Sequence, residues 1–449
     1  MKKTEAFMVK NNTVGKEKIE SFFDAGTFVE LGALVKRKGS TDDYEGVICG
    51  YGAVNGKLVY AFVQDGDRMK GAFDELHAKK IERLYELAIS GGAPVVGVFD
   101  SLGALVYEGA AVLSGYGRIM KCVSDASGVI PQIAIVDGVC GGSSAAIAAM
   151  FDVVINVENS KLFVNSAYSA GAESDAVNFC AKSVSSRAEA FACVSELVSL
   201  LPSNNAEGTV IDVSADDLNR KVVLDGKSVK DVLTAIADDG KVFELYEKFG
   251  AEMTTALVSF GGVVCGAVAA DGKLTASGAR KASKMISFCD SFHLPIITLV
   301  NSEGLESEDA KTNFAGELAR LAYAYSSSDT AKITVVVGKA YGAPFTLLGS
   351  KSLGADIVFA TESAQISVLP PEASVAFLWN DKITADKSRE DVEAEWKEKC
   401  SSAVYAAEVG EVDDIVEASQ LRQRVCASVS MLFAKAEGKP SRKHINMPL

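Results

Sequence analysis

The 449-residue chain carries only three histidines, His77, His293 and His444, and two tryptophans. A Ser/His/Asp triad or a His-rich metal site therefore has little material to draw on. The nine cysteines, at 49, 122, 140, 180, 193, 265, 289, 400 and 426, include no Cys-x-x-Cys pair. Scattered through apolar segments such as Val47-Ile-Cys49 and Val263-Val-Cys265, they read as buried, reduced thiols rather than a disulfide framework or a zinc ribbon. Basic charge is also short. Lys and Arg total 45 against 59 Asp and Glu, a formal charge of −14, the wrong sign for a surface that binds nucleic acid or anionic membrane. No apolar run approaches the ~18 residues of a membrane span, and the opening Met1-Lys-Lys-Thr-Glu-Ala-Phe7 lacks the apolar core of a secretory leader. The expected location is the cytoplasm. With 48% apolar residues, 23% charged and 39 Gly against 9 Pro, the composition is that of a compact globular protein.

What the chain does have is a repeat. Residues 79 to 105 give a helical stripe over Ile81, Leu84 and Ala88, then Pro94, the apolar run Val95-Val-Gly-Val-Phe99, and the turn Asp100-Ser-Leu-Gly103. At an offset of 201 the same order returns: Ala282, Met285, Ile286 and Cys289 on one stripe, Pro295, Ile296-Ile-Thr-Leu-Val300 and Asn301-Ser-Glu-Gly304. At an offset of 200, Ile133-Ala-Ile-Val136 falls on Ile333-Thr-Val-Val336 and Gly142 on Gly342. Short apolar runs alternating with helices predict βαβ units on a largely parallel sheet. Hairpins are expected ahead of each copy, around Asn55-Gly56 and Gly261-Gly262. The fold class is thus α/β in two tandem lobes, 1–230 and 231–449, with a linker from Leu201 to Lys230, an exposed helix over 388–399 and an extended tail from Gly438.

The chemically suggestive positions are strand ends that enter Gly-rich turns and open small-residue helices: Asp137-Gly-Val-Cys-Gly-Gly142-Ser143-Ser, and Gly338-Lys-Ala-Tyr341-Gly342-Ala343-Pro344-Phe345. Backbone N–H groups there can hold a carboxylate, a phosphate or a thioester oxyanion. Alternatively, the glycines only let helix and strand pack closely. Neither turn has the P-loop ending or the dinucleotide Gly-x-Gly-x-x-Gly pattern. Asp65, Asp67, Arg68, Asp100 and Glu108 sit at strand ends or in polar turns, where a carboxylate either meets a ligand or caps a helix.

At these residues the chain resembles the biotin-dependent acyl-CoA carboxyltransferases. The resemblance runs almost end to end, through Phe28-Val-Glu-Leu, Gly46-Val-Ile-Cys-Gly-Tyr-Gly, Gln64-Asp65, His77-Ala-Lys-Lys-Ile and Gly92-Ala-Pro-Val-Val-Gly. It continues with Glu108-Gly109, Ile130-Pro-Gln-Ile, Cys140-Gly-Gly142, Leu201-Pro-Ser-Asn-Asn, Ala279-Arg-Lys-Ala and Phe288-Cys-Asp. Lys339-Ala-Tyr-Gly342 and Arg442-Lys-His-Ile-Asn-Met-Pro-Leu complete it. The resemblance implies two crotonase-like β-β-α spiral lobes, acyl-CoA on the first and biotin on the second lobe of a neighbouring subunit, in a dimer or hexamer. It implies transfer of CO2 between carboxybiotin and a thioester enolate held by two backbone oxyanion holes, with no metal. By the same resemblance Gly142 and Ser143 form the acyl-CoA hole, with Gly103, Ala104, Lys79 and Lys80 (and Arg118) on the acyl-CoA side. Gly342, Ala343 and the residue after them form the biotin hole, beside Tyr341 and Phe345. No biotin-acceptor Met-Lys-Met occurs, so the resemblance points to a separate biotin carrier and to a biotin carboxylase or decarboxylase partner.

The chain departs from the family pattern at defined places. Pro344 has no N–H where the family supplies a donor. The family's Asp-Ser-Gly-Gly-Ala-Arg is here Asp100-Ser-Leu-Gly-Ala-Leu105, its Asp-x-Pro-Gly-Phe is Asn301-Ser-Glu-Gly-Leu305, and the stretch 165–178 is short. Thr346 falls where chain-length preference is partly set. Three readings remain open: a carboxyltransferase subunit, a biotin-independent acyl-CoA decarboxylase or thioester enzyme, and a non-catalytic assembly subunit.

Overall fold

The computed structural model describes residues 14–36, 44–66, 69–164, 180–307, 313–435 and 446. Asp67, Arg68, the stretch 165–178, His444 and all of the tail but Asn446 lie outside the described residues. The chain divides into two compact units, residues 1–207 and 208–449.

Unit 1 runs α1 (Val14–Glu20), β1 (Val29–Leu31), β2 (Val47–Val54), β3 (Lys57–Gln64), α2 (Glu75–Gly91), β4 (Val95–Ser101), α3 (Ala110–Ala126), β5 (Gln132–Gly141), α4 (Ser143–Ala149), β6 (Val153–Val157), β7 (Lys161–Phe163), β8 (Lys182–Val184) and α5 (Arg187–Leu200). Asn55 and Gly56 both take positive φ, 50° and 75°, the two-residue turn that matches strand twist, and β2 and β3 pair antiparallel from Val54↔Lys57 outward. From β3 on, each neighbour is parallel, in the order β1-β2-β3-β4-β5-β6-β8, with β7 on the far leg of β5. The buried stripe of α2 includes Ile81, Leu84, Tyr85 and Ala88. It packs with Phe62, Phe99, Ala134, Ile147 and Phe151 into one core.

Unit 2 repeats this scheme with α6 (Val229–Ile236), β9 (Val242–Leu245), β10 (Met253–Phe260), β11 (Val263–Asp271), α7 (Ala276–Ser291), β12 (Ile296–Ser302), α8 (Phe314–Ser327), β13 (Lys332–Tyr341), α9 (Ala343–Leu347), β14 (Ile357–Thr361) and β15 (Gln365–Ser367). It then adds α10 (Pro371–Ser374), α11 (Arg389–Cys400), α12 (Ala403–Glu408), β16 (Asp414–Val416) and α13 (Leu421–Leu432). The sheet order is β9-β10-β11-β12-β13-β14-β16, and β15 pairs β13 as β7 pairs β5. The expected hairpin forms at Gly261-Gly262, again with positive φ at both residues, 61° and 84°. Part of the stretch expected as a linker is bound into unit 2. The Thr209 hydroxyl donates to Val264 O, the Asp212 amide to Gly262 O, and the Val264 amide to Val210 O. The reason is that β12 pairs β11 only from Gly266 onward, so the start of β11 is open on that side and takes up nearby extended backbone. The helix expected over 388–399 is α11, capped by Ser388 through a reciprocal bond pair with Asp391, and it buries only Val392.

Beneath unit 2 lies an ionic cluster. Arg422 is fully buried; its guanidinium donates to Asp217 O, Ile236 O and the Asp238 carboxylate, at 3.1, 2.6 and 2.7 Å. Asp216 accepts two bonds from Arg220, each at 2.9 Å, and lies 3.2 Å from Arg422. The Arg220 bonds, with the Asp239 amide and the Arg422 charge, hold the Asp216 carboxyl down at about 2. A carboxyl whose folded pKa lies below its unfolded value stabilises fully above the unfolded value and loses that contribution as pH falls through the folded one. Urea titration from pH 5 to pH 2 is expected to show unit 2 weakening between about pH 4 and about pH 2, with that component absent in Asp216→Asn. Among the described residues no helix is long and apolar enough to cross a membrane, and no cluster of His, Cys, Asp and Glu fits a metal ion.

Candidate active site

The two repeats converge on one construction. The β4–β5 pairing runs in step to Phe99↔Val136 and then jumps to Ser101↔Cys140. In unit 2 the pairing runs to Val300↔Val336 and jumps to Ser302↔Ala340. The surplus residues in β5 and β13 form a bulge, and a bulge bends the strand and turns its end in a new direction. Beyond it the last leg of each strand leaves its first neighbour: Val139–Gly141 pairs with β7, and Lys339–Tyr341 with β15.

Each leg ends in a glycine at positive φ, Gly142 at 60° and Gly342 at 67°, a conformation glycine adopts without penalty. The Gly142 N–H donates to Phe163 O and the Gly342 N–H to Ser367 O, both at 2.9 Å. These two amides are spent on the sheet. The next amides along the chain are the first of a helix, which have no intrahelical acceptor. In unit 1 they belong to Ser143 and Ser144, in unit 2 to Ala343 alone, because Pro344 occupies the second position. The N–H after them closes back on the turn in both, Ala145 on Gly142 O and Phe345 on Gly342 O at 3.1 Å. Among the described residues a methyl group placed on Gly142 would meet nothing within 4 Å; on Gly342 it would meet Val368 O at 3.3 Å.

The other expected residues take varied places. Gly103 and Ala104 lie on the loop after β4, held by the Phe73 amide on Gly103 O and the Leu105 amide on Phe73 O. Ser101 pairs with Cys140, so this loop and the Gly142 turn leave the sheet side by side. Lys79 is exposed, its ammonium 3.0 Å from Glu75. Lys80 instead points inward and donates to Val47 O at 2.5 Å. Arg118 lies 3.3 Å from Glu82. Tyr341 is buried, with its hydroxyl 2.5 Å from Gln365 Oε1 and its pKa pushed up to about 12 by burial. Phe345 is half-buried on the first turn of α9.

Side-chain chemistry is scarce around the turns. Burial pushes the Cys140 thiol up to about 12, so no thiolate forms near neutral pH. Asp100 accepts from the Val139 amide at 3.1 Å, and Glu108 accepts from the Glu75 amide that opens α2 at 2.7 Å. Asp65 is buried. Gly142, expected with Ser143 as an acyl-CoA hole donor, has its amide taken by Phe163 O, and Ser144 is not among the expected residues. A residue count from Gly142 cannot reveal that Phe163, twenty-one positions away, takes the glycine's own amide.

The model of the carboxyl transferase domain matches residues 9–172 and 179–447. The chain belongs to the carboxyl transferase family. Among its relatives in that family is the methylmalonyl-CoA decarboxylase subunit alpha of Veillonella parvula, 32% identical, with 100% of this chain and 95% of that protein covered. The methylmalonyl-CoA carboxyltransferase 12S subunit of Propionibacterium freudenreichii subsp. shermanii is 30% identical, covering 96% and 91%. A solved structure of transcarboxylase 12S, described as a hexamer assembly with hydrolyzed methylmalonyl-coenzyme A bound, superposes with a TM-score of 0.92 at 27% identity, covering 100% of this chain and 95% of that one. The two units of this carboxyl transferase therefore have the crotonase-like fold.

Proposed function

We propose that this chain is the carboxyltransferase subunit of a biotin-dependent system that moves CO2 between carrier-borne biotin and a short acyl-CoA. The observation that carries the reading is the turn of unit 1: the adjacent amides of Ser143, partly exposed, and Ser144, buried, find no acceptor among the described residues. Paired donors of this kind stabilise charge as it develops on a thioester oxygen, the largest single contribution in many acyl-group reactions. Gly142 supplies the bend, and Gly103 and Ala104 border it. Lys79 offers an exposed cation to the CoA phosphates, whereas Lys80 serves the interior.

The second turn fits biotin with one hydrogen bond. The Ala343 amide suits a single ureido carbonyl, Val368, whose carbonyl borders Gly342, is 83% exposed, and Tyr341 and Phe345 flank the bend. When bound, biotin supplies or accepts the carboxyl group. The chain's own part is to hold the thioester oxygen at Ser143 and Ser144 while the α-carbon exchanges a proton for a carboxyl group. Exposed apolar residues such as Val106 and Tyr107, 84% and 95% exposed beside the Gly103 loop, favour a site covered by another copy or a carrier domain. A dimer or hexamer, served by a separate biotin carrier and a carboxylase or decarboxylase subunit, accords with this.

The test is decarboxylation of malonyl-CoA and methylmalonyl-CoA with and without biotin. Turnover that requires biotin supports the reading, and turnover that ignores biotin replaces it with a biotin-independent thioester enzyme. The missing amide at Pro344 is the specific observation in favour of that second reading. Silence on both substrates would leave an assembly subunit. Under the first reading Pro344→Ala restores a donor and is expected to raise biotin-dependent kcat by about tenfold or more, given that one such donor is typically worth about 10²- to 10³-fold. An unchanged rate would remove Ala343 and its neighbour from biotin chemistry.

A further inference from the structure

We infer that Asp100 is a positioning residue for the unit 1 turn, and Asn301 its counterpart in unit 2: each side chain fills the bulge and clamps the strand leg that carries the glycine turn. This rests on the carboxyltransferase reading for its link to turnover, but the clamp itself is geometric.

The two copies agree in detail. Asp100 Oδ1 accepts from the Val139 amide at 3.1 Å, and Asn301 Oδ1 from the Lys339 amide at 2.9 Å. Both acceptors bond the residue just past the register jump, the first of the leg that ends at Gly142 or Gly342. In both copies the residue before that amide is glycine, because a Cβ on Gly138 would stand 2.2 Å from Asp100 Oδ1 and one on Gly338 2.4 Å from Asn301 Oδ1. Gly66 leaves room on the other side, where a Cβ would stand 2.2 Å from Asp100 Oδ2. The clamp is anchored from behind. The Asp100 amide donates to Gln64 Oε1 at 3.2 Å, and Gln64 Nε2 lies 3.3 Å from Nε2 of the buried His77. In unit 2 the anchor is Asp271, which accepts from Asn301 Nδ2 at 2.8 Å. That contact explains the amide in this copy, since a carboxylate at 301 would face the Asp271 carboxylate.

Without the clamp the leg has freedom to shift, and a displacement of about 1 Å at a reacting centre costs about 10²-fold in rate. The feature both copies share is an acceptor oxygen rather than a charge, so the conservative replacement is the residue the second copy already uses. The experiment compares Asp100→Ala and Asp100→Asn with the full-length chain, reading kcat and KM for biotin-dependent malonyl-CoA decarboxylation together with hydrogen exchange of the 138–143 backbone. Expected for Asp100→Ala are faster exchange at Val139, kcat lower by about ten- to a hundredfold and KM within about twofold; Asp100→Asn recovers both exchange protection and kcat. Unchanged exchange at Val139 in Asp100→Ala overturns the clamp. Faster exchange with wild-type kcat overturns its role in positioning, as does failure of Asp100→Asn to recover kcat while it recovers protection. Should the wild-type chain show no turnover, faster exchange in Asp100→Ala and its reversal in Asp100→Asn still establish the clamp, and only the carboxyltransferase reading fails.

Discussion

Ser144→Pro is expected to lower acyl-CoA turnover by about 10²- to 10³-fold in kcat while leaving the melting temperature close to that of Ser144→Ala. Residue 144 is the second position of α4, and the same position in α9 is already a proline, Pro344. The backbone of this turn therefore accepts the ring, whose φ suits a helix start. The substitution removes one N–H and also the buried Ser144 hydroxyl, and Ser144→Ala isolates the second effect. A Ser144→Pro enzyme with the kcat of Ser144→Ala would show that this amide does not face the thioester.

Arg422→Ala is expected to destabilise unit 2 by about 3–5 kcal/mol, the usual cost of removing one partner from a buried ionic cluster. The guanidinium is fully buried and satisfies two backbone carbonyls as well as Asp238. Asp238 keeps the Gly261 and Gly262 amides, at 3.0 and 2.7 Å, but loses its countercharge, and Asp216 loses one of two. Urea unfolding of wild type and variant at pH 7 measures the difference. A loss below about 1 kcal/mol, the range of exposed pairs, would mean that the cluster is solvated.

Most of the architecture was legible because it is written twice. The Asn55-Gly56 and Gly261-Gly262 turns, the stripes of α2 and α7 and the strands after Pro94 and Pro295 all depend on local pattern, and all form at their expected places. The fine structure of the site was less legible. Lys80 was expected at the CoA side, yet it lies on the same stripe as Leu84 and Ala88 and matches the buried Lys281 at an offset of 201. Lys281 donates to Gly250 O at 3.4 Å, and burial lowers its pKa to about 8. The repeat itself thus held the signal for two interior lysines. From the sequence alone, Glu108 and Asp100 are either ligand or helix-capping groups. Glu108 does accept from the first amide of a helix, α2, which precedes it in the chain. Asp100 bonds a neighbouring strand instead, through a long-range pairing jump that no local pattern records.

The proposed carboxyl transfer requires the Ser143 and Ser144 amides to meet the thioester oxygen. A crystal structure with a non-reactive acyl-CoA analogue tests this most directly. The expected result places that oxygen about 2.7–3.1 Å from both nitrogens, with the CoA chain leaving past Gly103 and Ala104. A thioester bound away from the Gly142 bend, or amides taken up by protein atoms in the complex, would contradict it.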